Sequence, residues 1–525
     1  MKKGTKILAF LLVIALPFIL WAFTKKDELK QSLTTIQIKS GMISGVSNNA
    51  GDVTAFKGIP FAAPPVGDLR WKAPQPVKSW QGVKKCDQFG PSPMQPKPIP
   101  FAVYTSEFLI PEAPISEDCL YLNVWTNAQK ISEKKPVLVW IYGGGFISGG
   151  TACPIYDGEA IAKKDVIFVS VNYRVGVFGF LAHPELSDES GGKGSGNYGL
   201  LDQIAALQWV KENIASFGGD PDNVTIAGQS AGSMSVNCLV VSPLAKGLFK
   251  GAIAESGSYF WKNGNNKVPT LSVAEASGKA IIEKAGLQTL ADMRKMSADE
   301  LLKKASARFS PVVDGTVLQA TPEDTYAQNK QNHVPLLVGW NGDESFDPAN
   351  RKKEVYLQQA QQQYGERTAA FLKYFPGETD EQASRSEFEL GKYHSFAITQ
   401  YKWAIIQSKW DNSPVYLYNF NRKVPATGEF VKYGAFHTGE VAYVFNNLKF
   451  LKNRPFTETD NSLAELMSNY WVNFVKTGNP NGPSVPEWPK FDSNKNLVKV
   501  FDANSQTQEV PDKTKLDFML STEVK

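Results

Sequence analysis

Residues 223–239 read NVTIAGQSAGSMSVNCL: a short apolar run, a serine between two glycines, then a second apolar stretch of different period. "NVTIAG" has the texture of a short strand buried on both faces, and the residues after Ser230 resume at helical spacing. Ser230 therefore stands at a strand-to-helix junction. A turn that sharp puts the serine in a strained backbone conformation, and side chains two residues either way would collide, so Gly228 and Gly232 are required sterically. The turn leaves the hydroxyl exposed at the carboxyl ends of the strands, at a helix N-terminus whose dipole favours developing negative charge. A helix-capping serine accounts for one glycine but not for both.

The surrounding chain supplies a sheet for such a turn. "PVLVWIY" (136–142) and "VIFVSVNY" (166–173) are continuous β-branched runs, as in strands covered on both faces. "NYGLLDQIAALQWVKENIASFGGD" (197–220) follows, with Leu201, Ile204, Ala205, Leu207 and Val210 at helical spacing and Gly218 and Gly219 as its stop. "GAIAES" (251–256) and "VPLLVGW" (334–340) read as further strands, and residues 272–286 and 354–375 as helices. This alternation predicts an α/β fold, a large mostly parallel central sheet flanked by helices. Residues 34–100 are rich in Gly and Pro yet carry Phe56, Ile59, Phe61, Trp71 and Trp80, so they read as short strands and turns. No repeat or polar linker divides residues 31–525, which are expected to form one domain.

Composition narrows the function. The 525 residues carry a formal charge of +4, with Lys and Arg scattered among acids, so there is no footprint for nucleic acid. The first six residues are basic, and residues 7–23 (ILAFLLVIALPFILWAF) hold no charge. Residues 1–30 are read as an export signal, placing the protein outside the cytoplasm (secreted or periplasmic), with an uncleaved membrane anchor as the alternative. The four cysteines, Cys86, Cys119, Cys153 and Cys238, are too few for a disulfide scaffold, and their spacing suggests no metal.

A serine hydroxyl needs a base, and only His183, His333, His394 and His437 are available. On such a sheet the order is serine, acid, histidine, which removes His183. His333 sits in a polar stretch just before a strand, at its wrong end, and His394 lies within a predicted helix, where a solvated histidine is the simpler account. His437 follows the strand-like "PVYLYNF" in a Gly-flanked loop, "YGAFHTGEVAYVF", and is the favoured base. The acid must fall between them, and the strand "VPLLVGW" ends in Asp343 and Glu344, with Asp347 nearby. Pattern alone does not choose among these three. For an oxyanion, "WIYGGGFISGG" (140–150) brings the amides of Gly143, Gly144 and Gly145 to a strand end, and Ala231 adds the amide after the nucleophile. The loop lacks the lysine and the spacing of nucleotide-binding loops, so no cofactor is implied.

Taken together, "FKGIPFAAPPVGDLRW", "SEDCLYLNVW", "VWIYGGGFISG", "VNYRVGVFGFL", "GNYGLLDQ…GQSAGS", "GDES", "FHTGEVAYVF" and "YWVNFVKTGNPN" resemble, in order over residues 34–490, the type-B carboxylesterases, the cholinesterase-like branch of the α/β-hydrolases. The resemblance implies a serine hydrolase of neutral carboxylic esters with Ser230 as nucleophile, His437 as base and Glu344 as orienting acid. It implies an oxyanion hole of Gly144, Gly145 and Ala231, a small-molecule ester as partner, and neither cofactor nor metal. It also implies a Cys86–Cys119 disulfide, stabilising by roughly 3–4 kcal/mol, and an Arg70–Glu117 ion pair. Two departures stand out. Gln229 replaces a glutamate common before the nucleophile, and Leu109 stands near where cholinesterases place a tryptophan, so choline esters are not the expected substrates. The alternatives are a non-catalytic adhesion protein of the same fold, or a lipase, carbamate hydrolase or peptidase. Phe101, Tyr104, Phe108, Tyr259, Phe260, Trp261, Phe309 and Phe346 are candidates for an aromatic gorge.

Overall fold

The computed structural model describes residues 33–260, 267–345 apart from 288 and 306, 350–410 and 412–523. The expected leader at 1–30, Trp261, Phe346 and Asp347 lie outside the described residues. Eleven strands form one sheet: β1 (Val46–Ser47), β2 (Thr54–Pro60), β3 (Tyr121–Thr126), β4 (Lys135–Ile141), β5 (Ile167–Val171), β6 (Gly219–Gln229), β7 (Gly251–Glu255), β8 (Leu336–Asn341), β9 (Val415–Phe420), β10 (Leu497–Phe501) and β11 (Gln506–Glu509). Their spatial order is β11-β10-β9-β8-β7-β6-β4-β5-β3-β2-β1. The seven strands from β10 to β5 are parallel, and antiparallel strands close both edges.

The continuous apolar runs explain why the parallel strands lie inside. Every residue of β5, β7, β8 and β9 is buried, because helices cover both faces. Each such Val, Ile or Leu contributes about 1.5–3 kcal/mol by leaving water. Helix α1 (Tyr198–Asn213) is buried on nearly all sides, not on one face as its spacing suggests. It can carry Asp202 inward because Arg174 meets that carboxylate with two side-chain bonds of 2.7 and 2.8 Å. Gly218, at φ +81°, ends the following turn as expected, but Gly219 already begins β6, an eleven-residue strand longer than the predicted "NVTIAG".

The N-terminal stretch forms short strands and turns, clamped onto the body by the predicted ion pair. Arg70 Nε and Nη2 reach Glu117 at 2.7 and 2.6 Å, and Arg70 Nη1 donates to the carbonyl of Met293 at 2.7 Å. The expected Cys86–Cys119 bond is not formed; all four cysteines are free and buried. The reason lies in register. Lys57 N–H donates to the Cys86 carbonyl, whereas Cys119 adjoins Leu120, whose carbonyl accepts from Phe61. Four strand residues separate the two, on the order of 10 Å or more, and a disulfide needs Cα atoms within about 7 Å. Met94, not Cys86, shares a cavity wall with Cys119.

Candidate active site

Strand β6 ends at Gln229, Ser230 turns, and helix α2 (Ala231–Val241) begins at once. Ser230 has φ 58° and ψ −124°, a conformation costing about 1–3 kcal/mol for a residue with a side chain. Two backbone bonds hold it there: Ser230 N–H donates to the Glu255 carbonyl at 2.8 Å, and Met234 N–H to the Ser230 carbonyl at 2.9 Å. Gly232 is pressed onto β4. A Cβ on it would stand 2.0 Å from the Ile141 carbonyl oxygen, and one on Gly228 2.5 Å from the Gly232 carbonyl carbon. Gly232→Ala is therefore expected to destabilise the fold by about 3 kcal/mol and to abolish activity together with it, read as a fall in melting temperature alongside ester turnover.

The glycine loop after β4 passes beside the serine. Gly144 and Gly145 take φ +111° and +63°, and a Cβ on Gly143 would stand 2.9 Å from Ser230 Cβ. Among the described residues the N–H groups of Gly144, Gly145 and Ala231 donate to nothing in the protein. Three unpaired amides beside one hydroxyl are the donors a developing oxyanion requires.

Of the carboxylates after β8, one meets the histidine. Glu344 is buried; its Oε1 lies 2.7 Å from His437 Nδ1, and its Oε2 accepts Asn341 N–H at 3.0 Å. Asp343 points elsewhere: it pairs with Lys392 at 2.8 Å and accepts Ala435 N–H at 2.9 Å. It thus anchors the loop that carries His437. Glu344 at Nδ1 fixes the imidazole with Nε2 as its acceptor nitrogen.

The Gln229 side-chain amide nitrogen lies 3.1 Å from His437 Nε2 and 3.3 Å from Nδ1, almost equidistant and therefore against the ring face, and the Gln229 oxygen accepts Thr438 Oγ1 at 3.3 Å. The Ser230 hydroxyl, half-buried, makes no hydrogen bond among the described residues. The geometry joins Glu344 to His437 and sets the strained serine next to the residue that touches His437, with no serine–histidine hydrogen bond among the described residues.

Other predicted residues fall into place differently. His183 Nδ1 accepts Glu185 N–H as a helix cap, and His333 packs on Trp410 at 5.7 Å. His394 lies half-buried in a π-helical turn, Tyr393–Ala397, where burial pushes it down to about 4. That turn carries Phe396, which stacks on the His437 ring at 4.2 Å and 12°. Sequence reading did not single out Phe396; a π-bulge leaves no local signature. Tyr104 donates its hydroxyl to the His437 carbonyl at 2.9 Å and contacts Phe101, Phe108 and Phe436. Phe260 belongs to the core against Tyr326 and Trp403, not to a gorge. Tyr259 and Phe309 are also buried. Among the described residues no three His, Cys, Asp or Glu side chains are grouped to hold a metal ion.

A strained serine turn at the carboxyl end of a central parallel strand, with a carboxylate-bound histidine on a later loop, defines an α/β-hydrolase. The carboxylesterase family matches residues 32–519, and the chain belongs to that family. The fumonisin B1 esterase of Sphingopyxis macrogoltabida is 36% identical over 477 residues, covering 86% of this chain and 84% of that protein. The para-nitrobenzyl esterase of Bacillus subtilis (strain 168) is 34% identical over 499 residues, covering 90% and 96%. A solved PNB esterase superposes with a TM-score of 0.78 at 32% identity over 93% of this chain and 99% of that one. A carboxylesterase of Geobacillus stearothermophilus superposes with a TM-score of 0.77 at 34% identity over 94% of this chain and 100% of that one. The protein is a serine-type carboxylic-ester hydrolase, and the adhesion-protein alternative is not favoured.

Proposed function

We propose that Ser230, His437 and Glu344 carry out ester hydrolysis through a covalent acyl-enzyme, on small neutral carboxylic esters. Ser230 Oγ loses its proton to His437 Nε2 and attacks the carbonyl carbon. The amides of Gly144, Gly145 and Ala231 receive the oxyanion. The protonated imidazole, stabilised by Glu344, gives its proton to the departing alcohol, and water then cleaves the acyl-enzyme by the same route. The observation that carries this reading is the 2.7 Å Glu344–His437 contact beside a serine held at positive φ.

The preference for a neutral substrate rests on Gln229, an uncharged amide at His437, and on Leu109 in place of an aromatic ring. Relatives that act, by name, on para-nitrobenzyl and fumonisin esters support esters of differing alcohols as substrates. Residues 1–30 are proposed to direct export, with residues 7–23 as a tether if they are retained.

A p-nitrophenyl ester panel of increasing acyl length, run with and without a fluorophosphonate, tests the proposal. Stoichiometric labelling at Ser230 with parallel loss of turnover is the expected result. Turnover that survives full labelling, or labelling elsewhere, would overturn it.

A further inference from the structure

A row of in-register residues crosses the sheet from the one that touches His437. Gln229 of β6 pairs with Glu255 of β7, Glu255 with Gly339 of β8, Gly339 with Tyr418 of β9, and Tyr418 with Lys499 of β10. Residues in register on parallel strands share a face. Gly339 has no side chain, and the Tyr418 ring lies across it; a Cβ there would stand 2.3 Å from that ring. Glu255 Oε1 accepts Trp471 Nε1 at 2.7 Å, and the Trp471 ring meets Tyr418 edge-on at 5.2 Å.

Glu440 follows His437 by three residues and accepts Asn341 Nδ2 at 2.5 Å. The same amide donates to the Phe436 carbonyl at 2.8 Å, and Asn341 N–H donates to Glu344 Oε2 at 3.0 Å. Asn341 thus ties Glu440 both to the orienting acid and to the histidine loop.

Glu255 and Glu440 are fully buried, and each keeps one oxygen, Oε2 and Oε1 respectively, that accepts nothing. The buried Tyr418 hydroxyl is equally unpartnered. The titratable groups acting on the pair are Glu344, Tyr104, Tyr156 and Tyr418, with His437 bound to Glu344. The cations on this side are turned to rings: Lys499 Nζ lies over Tyr470 at 5.3 Å and Arg454 over Phe436 at 5.1 Å. Neither Glu255 nor Glu440 forms a salt bridge among the described residues. Three ionised carboxylates here would face one imidazolium, and a buried carboxyl without a counter-charge takes up a proton instead.

We propose that Glu255 and Glu440 are a proton-holding pair, both neutral carboxylic acids at neutral pH, that leaves Glu344 as the single anion behind His437, with Glu440 holding Asn341 between acid and base. They are positioning residues, and their protons belong on the two oxygens that accept nothing. Burial pushes Glu255 up to about 8; burial, then the neighbouring Glu255 and Glu344, push Glu440 well above the usual carboxylate range. The proposal rests on Glu344 and His437 acting as the acid–base couple.

Proton linkage gives the sign. Unfolded, Glu255 ionises near the ordinary glutamate value; folded, it stays protonated up to about 8. Folding therefore binds a proton between those values, stability falls as pH rises through that window, and the fall ends above it.

The test compares the full-length protein with Glu255→Gln and Glu440→Gln. Glutamine mimics a protonated carboxyl, and the Glu440→Gln side chain would keep an acceptor for Asn341. The fall in melting temperature from pH 6 to pH 9 is expected to be smaller by about 2–3 °C in Glu255→Gln than in the parent. Glu440→Gln is expected to keep kcat at pH 7 within about threefold. A loss of about 100-fold in Glu440→Gln, as for an essential anion, or melting curves that run parallel in parent and Glu255→Gln, would overturn the pair. Should a variant fail to fold, infrared spectroscopy of the parent decides: a protonated-carboxyl band persisting at pH 7 supports the pair and its absence refutes it. Fluorophosphonate labelling separates the two readings, since unlabelled protein with a flattened curve would refute only the catalytic assignment.

Discussion

Ser230→Ala is expected to lower kcat on p-nitrophenyl butyrate by about 10⁴-fold or more while leaving the melting temperature within a few degrees of the parent. The two halves of this result have separate causes. Turnover collapses because the hydroxyl that forms the acyl bond at the strained turn is removed. Stability survives because the Ser230 hydroxyl makes no hydrogen bond among the described residues, so its removal leaves no partner stranded. Alanine bears the same positive φ, 58°, at the same steric cost as serine. Fluorophosphonate labelling should disappear in step with activity. A variant that kept near-normal turnover would show that hydrolysis runs through another nucleophile.

Glu344→Gln carries the next largest effect, a loss of about 10³–10⁴-fold in kcat with less change in KM. Glu344 uses two oxygens for two donors, His437 Nδ1 at 2.7 Å and Asn341 N–H at 3.0 Å. Glutamine has one carbonyl oxygen, so its amide must face one of those donors, and the charge that stabilises the imidazolium is gone. Asp343→Asn is the informative neighbour. Asp343 bonds Lys392 and the Ala435 amide, so its loss should cost about 1 kcal/mol of stability and little turnover. Equal losses of kcat in the two variants, measured at substrate saturation, would contradict the assignment of the acid.

Short-range rules explain why so much of this site was legible in the chain. The Gly-x-Ser-x-Gly turn depends on contacts within a few residues and against the preceding strand, so "NVTIAGQSAGS" carries its own geometry. The same holds for the buried parallel strands, whose apolar runs reflect helices on both faces. The choice among Asp343, Glu344 and Asp347 rested on family resemblance, because neighbouring residues at a strand end diverge and only three-dimensional placement decides which reaches His437. The Cys86–Cys119 expectation failed for a related reason: pairing depends on register across β2 and the adjoining segment, and register is a property of the sheet.

By itself the sequence determined the α/β architecture, the strained turn at Ser230 and His437 as the histidine to expect beside it, since each follows from local periodicity, local sterics or chain order. Only the tertiary structure decided that Phe396 stacks on the imidazole, that the Gln229 amide lies against it, and that Glu255 and Glu440 lie behind it without a counter-charge. Those relations join residues up to about two hundred positions apart. Their cause is the packing of strand ends and loops, which no stretch of chain encodes alone.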